Sequence, residues 1–257
     1  MAKAATVAER IAENIIEGGP FLPLEDSAAA PDAGYAVQLE MAPLAAEGKG
    51  GVGGRKIAWN TPALMEKFGM EAPGAAFVFK DDICIGDANL KLSDYKNFMM
   101  EPEFAAILAV DLAPRAGGWD RESAADAVSH FTVAFELLDR RDGPAEHAAS
   151  IIANNIFNAG LCYDPGVGIK PRDLDPSALT TVVEHDGEEI LNAKGAAPMH
   201  PLDSVAFLAN HFNAHGITPR AGEILLCGAH MPLYPMDHPG KLKMTVEGVG
   251  EISYKMG

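Results

Sequence analysis

Residues 99–112 read MMEPEFAAILAVDL and are the most informative stretch of the chain. Phe104–Leu112 is an apolar run of strand length, which predicts a buried β-strand. Two glutamates, Glu101 and Glu103, stand where this strand begins. Side chains at positions i and i+2 of a strand point to the same face, so these two carboxylates should project side by side. Pro102 between them has no N–H to give a neighbouring strand, which is typical of a strand end or a bulge.

Two carboxylates about 7 Å apart beside apolar residues repel each other at low dielectric. Either one of them takes up a proton or a cation lies between them. Ligands that are all oxygen favour a hard cation, Mg²⁺ or Mn²⁺. The spacing of Glu101 and Glu103 alone is more often that of two solvated glutamates ahead of an edge strand.

A third carboxylate, Glu136, lies inside the apolar run FELL. An ionised group there must be paired or bound to a metal. Arg140 and Arg141 follow closely and are the alternative partners for Glu136. Asp139, at the polar end of the run, is expected to form a salt bridge with one of these arginines.

Lys56 enters an apolar stretch in the segment Arg55–Asn60. A lysine in such a place is suited to proton transfer or to holding a substrate carboxylate. The alternative is a lysine whose stem packs along a strand edge. His211 and His215 have the i, i+4 spacing of two metal ligands on one helix, but no third ligand is evident. The loop 228–233 follows a predicted strand and could form a pocket wall or a plain surface turn.

The N-terminal part is expected to be helical. Apolar residues at helical spacing predict a first helix that ends at Gly18, and a second helix is expected over Tyr35–Ala46. The glycine-rich run 47–54 matches no phosphate-binding pattern and is interpreted as a flexible linker. We therefore expect a helical cap over residues 1–50 and a β-rich catalytic domain over residues 51–257.

The remainder favours strands joined by hairpins, hence an α+β fold on an antiparallel or mixed sheet. Asp186-Gly187 supplies the positive φ angles of a type I′ hairpin turn. The other predicted elements are a helix Arg121–His130, a strand Thr132–Leu138, a helix Leu202–His215, and strands Glu223–Cys227 and Leu242–Tyr254, the last broken by Gly248-Val249-Gly250.

Composition excludes several classes of protein. The 257 residues are 48% hydrophobic, which is too apolar for a disordered chain. No apolar run approaches the ~20 residues of a membrane span. A net charge of −16 argues against a nucleic-acid partner. Three scattered cysteines suit a reducing compartment, and the acidic N-terminal segment does not resemble a signal peptide. These features predict a soluble cytoplasmic protein.

Six segments resemble, in order and spacing, motifs of one enzyme family from nearly end to end of the chain. With the family's motif in parentheses, they are Asp32–Gln38 (Ala-Tyr-x-x-Gln), Gly54–Ile57 (Gly-x-Lys followed by Val or Ile), Glu101–Glu103 (Glu-x-Glu), Glu136 (a third carboxylate), His200–Asn210 (a His-Pro-Leu helix) and Ala221–Ala229 (a Gly-Asp-Ile-Ile-Leu-Thr-Gly strand).

Together these segments resemble the hydratase/decarboxylase branch of the fumarylacetoacetate hydrolase superfamily. The resemblance implies a mixed β-roll or β-sandwich core with a small N-terminal helical cap. It implies a divalent metal, Mg²⁺ or Mn²⁺, on Glu101, Glu103 and Glu136, with Lys56 as a catalytic or substrate-binding residue. It also implies a homo-oligomer.

The implied activity is that of a hydro-lyase acting on a small 2-oxo acid. It adds water to a 2-hydroxydienoate or 2-oxo-enoate, such as 2-hydroxypenta-2,4-dienoate, in the catabolism of aromatic compounds. A decarboxylase of a 2-oxo-enedioate and a C–C hydrolase of an acylpyruvate are the alternative enzymes. The alternative that is not an enzyme is an inactive metal-binding subunit that associates with an active partner.

The chain departs from the family at two motifs. The family's Pro-Asp-Phe-Gly segment is replaced by Pro73–Ala76, so its acid is missing at Gly74. Glu71 is our candidate for the missing catalytic acid, with Asp81 and Asp82 as further possibilities. The family's Ala-Asp-Asn-Ala-Ser element is replaced by Ala153–Phe157, which loses an acid and a hydroxyl and gains a ring. A reshaped pocket is therefore expected.

Overall fold

The computed structural model of the chain describes residues 5–26 and 29–257. Its helices are α1 (Val7–Glu17), α2 (Pro31–Gly48), α3 (Pro62–Phe68), α4 (Arg121–Ala127), α5 (Ala148–Ala153) and α6 (Pro201–Ala214). Its strands are β1 (Val52–Ala58), β2 (Gly74–Phe79), β3 (Ile83–Ile85), β4 (Ala88–Leu90), β5 (Phe98–Leu108), β6 (Val128–Asp139), β7 (Asn158–Tyr163), β8 (Thr180–His185), β9 (Glu188–Lys194), β10 (Ile224–Ala229), β11 (Tyr234–Pro235), β12 (Gly240–Val246) and β13 (Gly250–Met256). None of these helices has both the length and the apolar character needed to cross a membrane.

The strands form two mixed sheets, which confirms the predicted α+β class. In the larger sheet the order is β2-β1-β10-β5-β6-β7-β3, and β11 also pairs with β5. Within it, β1 is parallel to β10 and β3 is parallel to β7, whereas the other pairs are antiparallel. The smaller sheet has the order β4-β13-β12-β8-β9, with only β13 and β4 parallel. A shared core of apolar side chains joins both sheets to α1, α2 and α6.

Local chemistry explains several element boundaries. Thr6 and Glu9 form a reciprocal capping box at the start of α1, and Gly18 ends the helix at φ 69°. Asp186 and Gly187, at φ 53° and 85°, form the turn between β8 and β9, as the sequence predicts.

Helix α2 is fixed to the larger sheet by buried hydrogen bonds. The Tyr35 hydroxyl accepts from the Ala75 N–H at 3.0 Å, and the Gln38 amide donates to the Ala75 carbonyl at 3.1 Å. The glycine run leads straight into this sheet, because Gly54 belongs to β1 and a Cβ there would overlap the Ile224 carbonyl. The interpretation as a flexible linker is wrong for this part of the run. The division into a cap and a domain stays a prediction.

Strand β5 begins earlier than the sequence predicts, at Phe98, so Pro102 lies inside it. Its carbonyl accepts the His230 N–H at 2.8 Å. On this side of β5 the pairing passes from β10 to β11, and the register is irregular before Ala229. The proline therefore falls where the hydrogen-bond ladder is already interrupted, and its missing N–H costs little.

Candidate metal centre and active site

Strands β5 and β6 bring three carboxylates to one face of the larger sheet. Glu101 and Glu136 are direct register partners, and Glu103 is two residues further along β5. One oxygen from each of the three lies within 4.8 Å of the others. Glu103 and Glu136 are buried, whereas Glu101 is partly exposed. The structure thus brings together the three carboxylates that the sequence suggests as candidate metal ligands.

Two oxygens of this cluster are buried without a partner. Glu103 Oε1 and Glu136 Oε2 accept no hydrogen bond within the described residues. An ionised carboxylate is costly to bury unless it is paired or coordinates a metal. Three carboxylates that converge through oxygens alone fit a hard divalent cation.

The cluster shifts the acidities of its own members. Burial, followed by the charge of Glu136, raises the pKa of Glu101 to about 8, against the opposing effect of Lys56. Burial and both neighbouring carboxylates raise the pKa of Glu103 well above its ordinary value. Burial also raises the pKa of Glu136, although Lys56 and Asn158 oppose this. A cation-free cluster therefore holds protons that a divalent cation must displace.

Lys56 on β1 supplies a positive charge to the cluster. Its Nζ lies 2.7 Å from Glu136 Oε1 and donates to the Ile156 carbonyl at 2.8 Å. Its side chain is 2% exposed. Glu136 is thus paired with Lys56 rather than with the arginines that follow it in sequence.

Two further groups hold the carboxylates in place. The Gly228 N–H donates to Glu103 Oε2 at 2.7 Å, and the Asn158 amide donates to Glu136 Oε1 at 2.9 Å. The sequence suggests the loop 228–233 only as a pocket wall, and it does not single out Asn158. The one feature of the sequence that could have indicated a role for Asn158 is its position directly after the altered element Ala153–Phe157.

The place of the missing family acid is apolar. A Cβ at Gly74 would lie 3.1 Å from Trp59 Cε3 and from Ile156 Cδ1, so a larger side chain there would have to displace them. Trp59 has a φ of 52°, which is rare for a bulky residue, and its ring stacks on Phe68 with centroids 4.3 Å apart. Backbone strain of this kind is concentrated at functional sites.

The structure does not bring the substitute acids into the cluster. Glu71 is exposed in the bend that precedes β2, and its catalytic role stays a prediction. Asp81 and Asp82 lie beyond the other end of β2, where Asp82 pairs with Lys49 at 2.8 Å.

Other candidate residues have structural partners. Asp139 accepts three backbone N–H groups, from Lys96, Asn97 and Arg141, rather than forming the predicted salt bridge. His211 and His215 pack against the ring of Tyr35 and, within the described chain, belong to no group of metal-ligating side chains.

The altered motif Ala153–Phe157 has a scaffolding role. Asn154 bonds both the N–H and the carbonyl of Leu22, and Asn155 does the same to Phe77. These contacts hold the Ile156 carbonyl that Lys56 uses.

Curated relatives of the chain are hydratases. No family model matches the chain. It is 27% identical over 259 residues to a 2-keto-4-pentenoate hydratase of Burkholderia vietnamiensis, covering 96% of this chain and 95% of that protein. It is 26% identical over 245 residues to a 2-hydroxyhexa-2,4-dienoate hydratase of Comamonas testosteroni, covering 93% and 88%.

Solved structures share the fold. A 4-oxalocrotonate decarboxylase from Pseudomonas putida G7, complexed with magnesium and adipate, matches all of both chains with a TM-score of 0.86 at 21% identity. A fumarylpyruvate hydrolase from Pseudomonas aeruginosa, in complex with Mn²⁺ and pyruvate, matches 79% of this chain and 88% of that one with a TM-score of 0.61 at 18% identity. With the ordered motifs and the converging carboxylates, these similarities support the resemblance of the chain to the hydratase/decarboxylase branch of the fumarylacetoacetate hydrolase superfamily.

Proposed function

We propose that the protein is a divalent-metal-dependent hydro-lyase that adds water to a 2-hydroxydienoate or 2-oxo-enoate, such as 2-hydroxypenta-2,4-dienoate. The observation that carries the proposal is the buried carboxylate cluster around Lys56. This cluster lies in a chain that is similar over 96% of its length to a named hydratase. The small 2-oxo acid substrate, a homo-oligomeric assembly and a cytoplasmic location belong to the same proposal.

Glu101, Glu103 and Glu136 would hold Mg²⁺ or Mn²⁺, the cations that an all-oxygen ligand set favours. When bound, the cation supplies Lewis acidity toward the carboxylate and 2-oxygen of the substrate. Gly228 and Asn158 act as positioning groups, since each fixes one carboxylate oxygen, and the other oxygen of that carboxylate has no hydrogen-bond partner in the part of the chain that the structure describes.

Lys56 is the group we assign to proton transfer. An ammonium has three N–H donors, and two of these are used by Glu136 and the Ile156 carbonyl. Among the described residues the third has no acceptor, so it can face the substrate and balance negative charge on the dienolate.

The proposed reaction has two stages, ketonisation of the dienol and addition of water. The dienol loses its hydroxyl proton and gains a proton at C5, which gives the 2-oxo-3-enoate. Water next bonds through oxygen to C4 and places a proton on C3, which gives a 4-hydroxy-2-oxo acid. Lys56 is placed to move one of these protons.

Decarboxylation of a 2-oxo-enedioate is the second candidate, and Gly74 favours it. Loss of CO₂ passes through the same enolate but needs no acid to direct water. The position of that acid is here bordered by Trp59 and Ile156.

Ultraviolet absorbance tests the proposal. Chelator-treated protein is mixed with 2-hydroxypenta-2,4-dienoate before and after addition of Mg²⁺ or Mn²⁺. We expect loss of the diene band only with the cation, formation of 4-hydroxy-2-oxopentanoate, and no reaction in Glu103→Ala. A persistent diene band together with CO₂ release from a 2-oxo-enedioate would instead establish the decarboxylase.

A further inference from the structure

Two of the three cysteines are neighbours across a pair of strands. Cys84 on β3 and Cys162 on β7 are register partners in a parallel pairing, and both are free thiols. Side chains of register partners point to the same face, and neighbouring strands lie about 4.8 Å apart. This is within the Cα separation of about 4.4–6.8 Å that a disulfide requires.

The two thiols differ in access to solvent. Cys162 is fully buried in the core, whereas Cys84 is partly exposed. Cys84 lies in the middle of a three-residue strand at the edge of the larger sheet. Its neighbour Ile85 is 63% exposed, and a turn at Gly86 follows. A reagent from solvent therefore reaches Cys84 first, and Cys162 lies behind it.

The pKa of Cys84 is consistent with its being the first thiol to react. A hydrogen bond with Cys162 lowers the pKa of Cys84 to about 7, against the effect of burial. The third cysteine, Cys227 on β10, is buried, and burial raises its pKa well above the ordinary value. Because the thiolate is the reactive form, Cys84 is the expected nucleophile and Cys227 should be inert.

We propose that Cys84 and Cys162 form a peroxide-sensitive dithiol, a site of reversible oxidation separate from the carboxylate cluster. The Cys84 thiolate attacks a hydroperoxide, the O–O bond breaks, and Cys84 becomes a sulfenic acid with release of water or an alcohol. The Cys162 sulfur then attacks the Cys84 sulfur, the S–O bond breaks, and the oxygen leaves as a second water. Both cysteines are thereby oxidised to one disulfide while the peroxide is reduced.

Oxidation also bears on the carboxylate cluster, because the same strand serves both sites. Asn158, at the start of β7, donates to Glu136. Gly160, between Asn158 and Cys162, has no room for a side chain, because a Cβ there would overlap the Asp82 carbonyl just before β3. A disulfide between β3 and β7 would draw the Cβ atoms of Cys84 and Cys162 to about 3.8 Å. This movement would shift the close contact between Gly160 and the Asp82 carbonyl, and with it the strand that carries Asn158.

Peptide mapping by mass spectrometry tests the proposal without any assay of activity. The full chain is treated with a small excess of hydrogen peroxide, alkylated and digested. We expect a Cys84–Cys162 linked peptide that is about 2 Da lighter than its two thiol peptides. The link should be lost on adding dithiothreitol, and Cys227 should be alkylated normally only after unfolding.

Three variants separate the roles of the thiols. Cys162→Ala should accumulate a sulfenic acid at Cys84 that dimedone traps, Cys84→Ser should resist peroxide, and Cys227→Ala should form the link at the wild-type rate. The wild-type map decides the matter even if Cys162→Ala folds poorly. Oxidation of wild-type Cys84 to sulfinic acid without a link, or oxidation of Cys227 as fast as Cys84, would overturn the proposal.

Discussion

The ammonium of Lys56 and the carboxylate of Glu136 lie 2.7 Å apart, although their side chains are 2% and 0% exposed. They come from β1 and β6, which are separated in the sheet by β10 and β5. This buried ion pair therefore joins two parts of the sheet that do not touch through backbone hydrogen bonds. It also offsets part of the repulsion among the three carboxylates.

Lys56→Met should strongly reduce turnover and should lower the stability of the fold in a pH-dependent way. We expect a loss of activity of about 10²–10⁴-fold, as for removal of a group that transfers a proton. At pH 8 the cation-free variant should lose about 3–5 kcal/mol of unfolding free energy, because Glu136 is left as an unpaired buried charge. At pH 5 the loss should be smaller, since a protonated Glu136 needs no counter-charge.

Urea unfolding in the presence of a chelator measures this loss at both pH values, with Lys194→Met on the exposed face of β9 as the matched control. Equal losses at both pH values would contradict the assignment.

The affinity for a divalent cation should rise with pH up to about 8. In the cation-free folded protein the pKa of Glu101 is about 8, whereas the ordinary value is 4.5. The folded state therefore binds more protons than the unfolded chain between these two values, and its unfolding free energy should fall as pH rises through that window. A cation displaces the bound protons, so its binding strengthens over the same window. Titration calorimetry with Mn²⁺ at pH 6, 7 and 8, in two buffers of different ionisation enthalpy, measures both affinity and proton release. Binding that is independent of pH would show that the cluster is already ionised.

Asn158→Ala should weaken cation binding without unfolding the protein. Its amide fixes Glu136 Oε1 at 2.9 Å, and loss of such a support costs about 10–100-fold in metal affinity. Asn192→Ala is the control, because Asn192 is exposed and bonds only the side chain of Glu189 among the contacts seen. If the two variants bind Mn²⁺ equally well, Asn158 does not position the ligand.

Gly228→Ala should damage the site more than it damages the fold. Gly228 has a φ of 113°, its N–H donates to Glu103, and a Cβ there would overlap the Asn60 amide. Gly216→Ala is a matched control, because Gly216 has a φ of 72° with nothing within 4 Å of its Cβ position. Both variants should lose about 1–3 kcal/mol of stability through backbone strain, but only Gly228→Ala should also lose cation affinity. Thermal unfolding and Mn²⁺ binding, measured on both variants, separate the two effects.

The sequence predicts well those features that depend on short spacing. The period-2 pattern puts Glu101 and Glu103 on one face, and the apolar surroundings of Glu136 require a partner for it. The hairpin turn at Asp186-Gly187 is equally local. Each of these follows from neighbours within a few residues, where backbone geometry leaves few choices.

The remaining features depend on which strands become neighbours. Lys56 meets Glu136, and Gly228 meets Glu103, only because β10 enters the sheet between β1 and β5. No local pattern specifies that insertion. Gly54 is a second example, because the sequence alone does not distinguish a glycine that is needed for close strand packing from a glycine in a flexible linker. The role of Asn158 is hidden for a similar reason, since it depends on the pairing of β6 with β7.

The parallel pairing of β1 with β10 also sets the order of events during synthesis. Gly54 pairs with Ile224, near opposite ends of the chain, whereas β5 and β6, with all three carboxylates, can pair long before the ribosome has made β10. Contacts between distant segments form late because the intervening chain must first be ordered. We therefore expect the nascent β5–β6 hairpin to expose its carboxylates to water until the last third of the chain closes over them. Uptake of protons or of a cation by these carboxylates should then accompany the completion of folding.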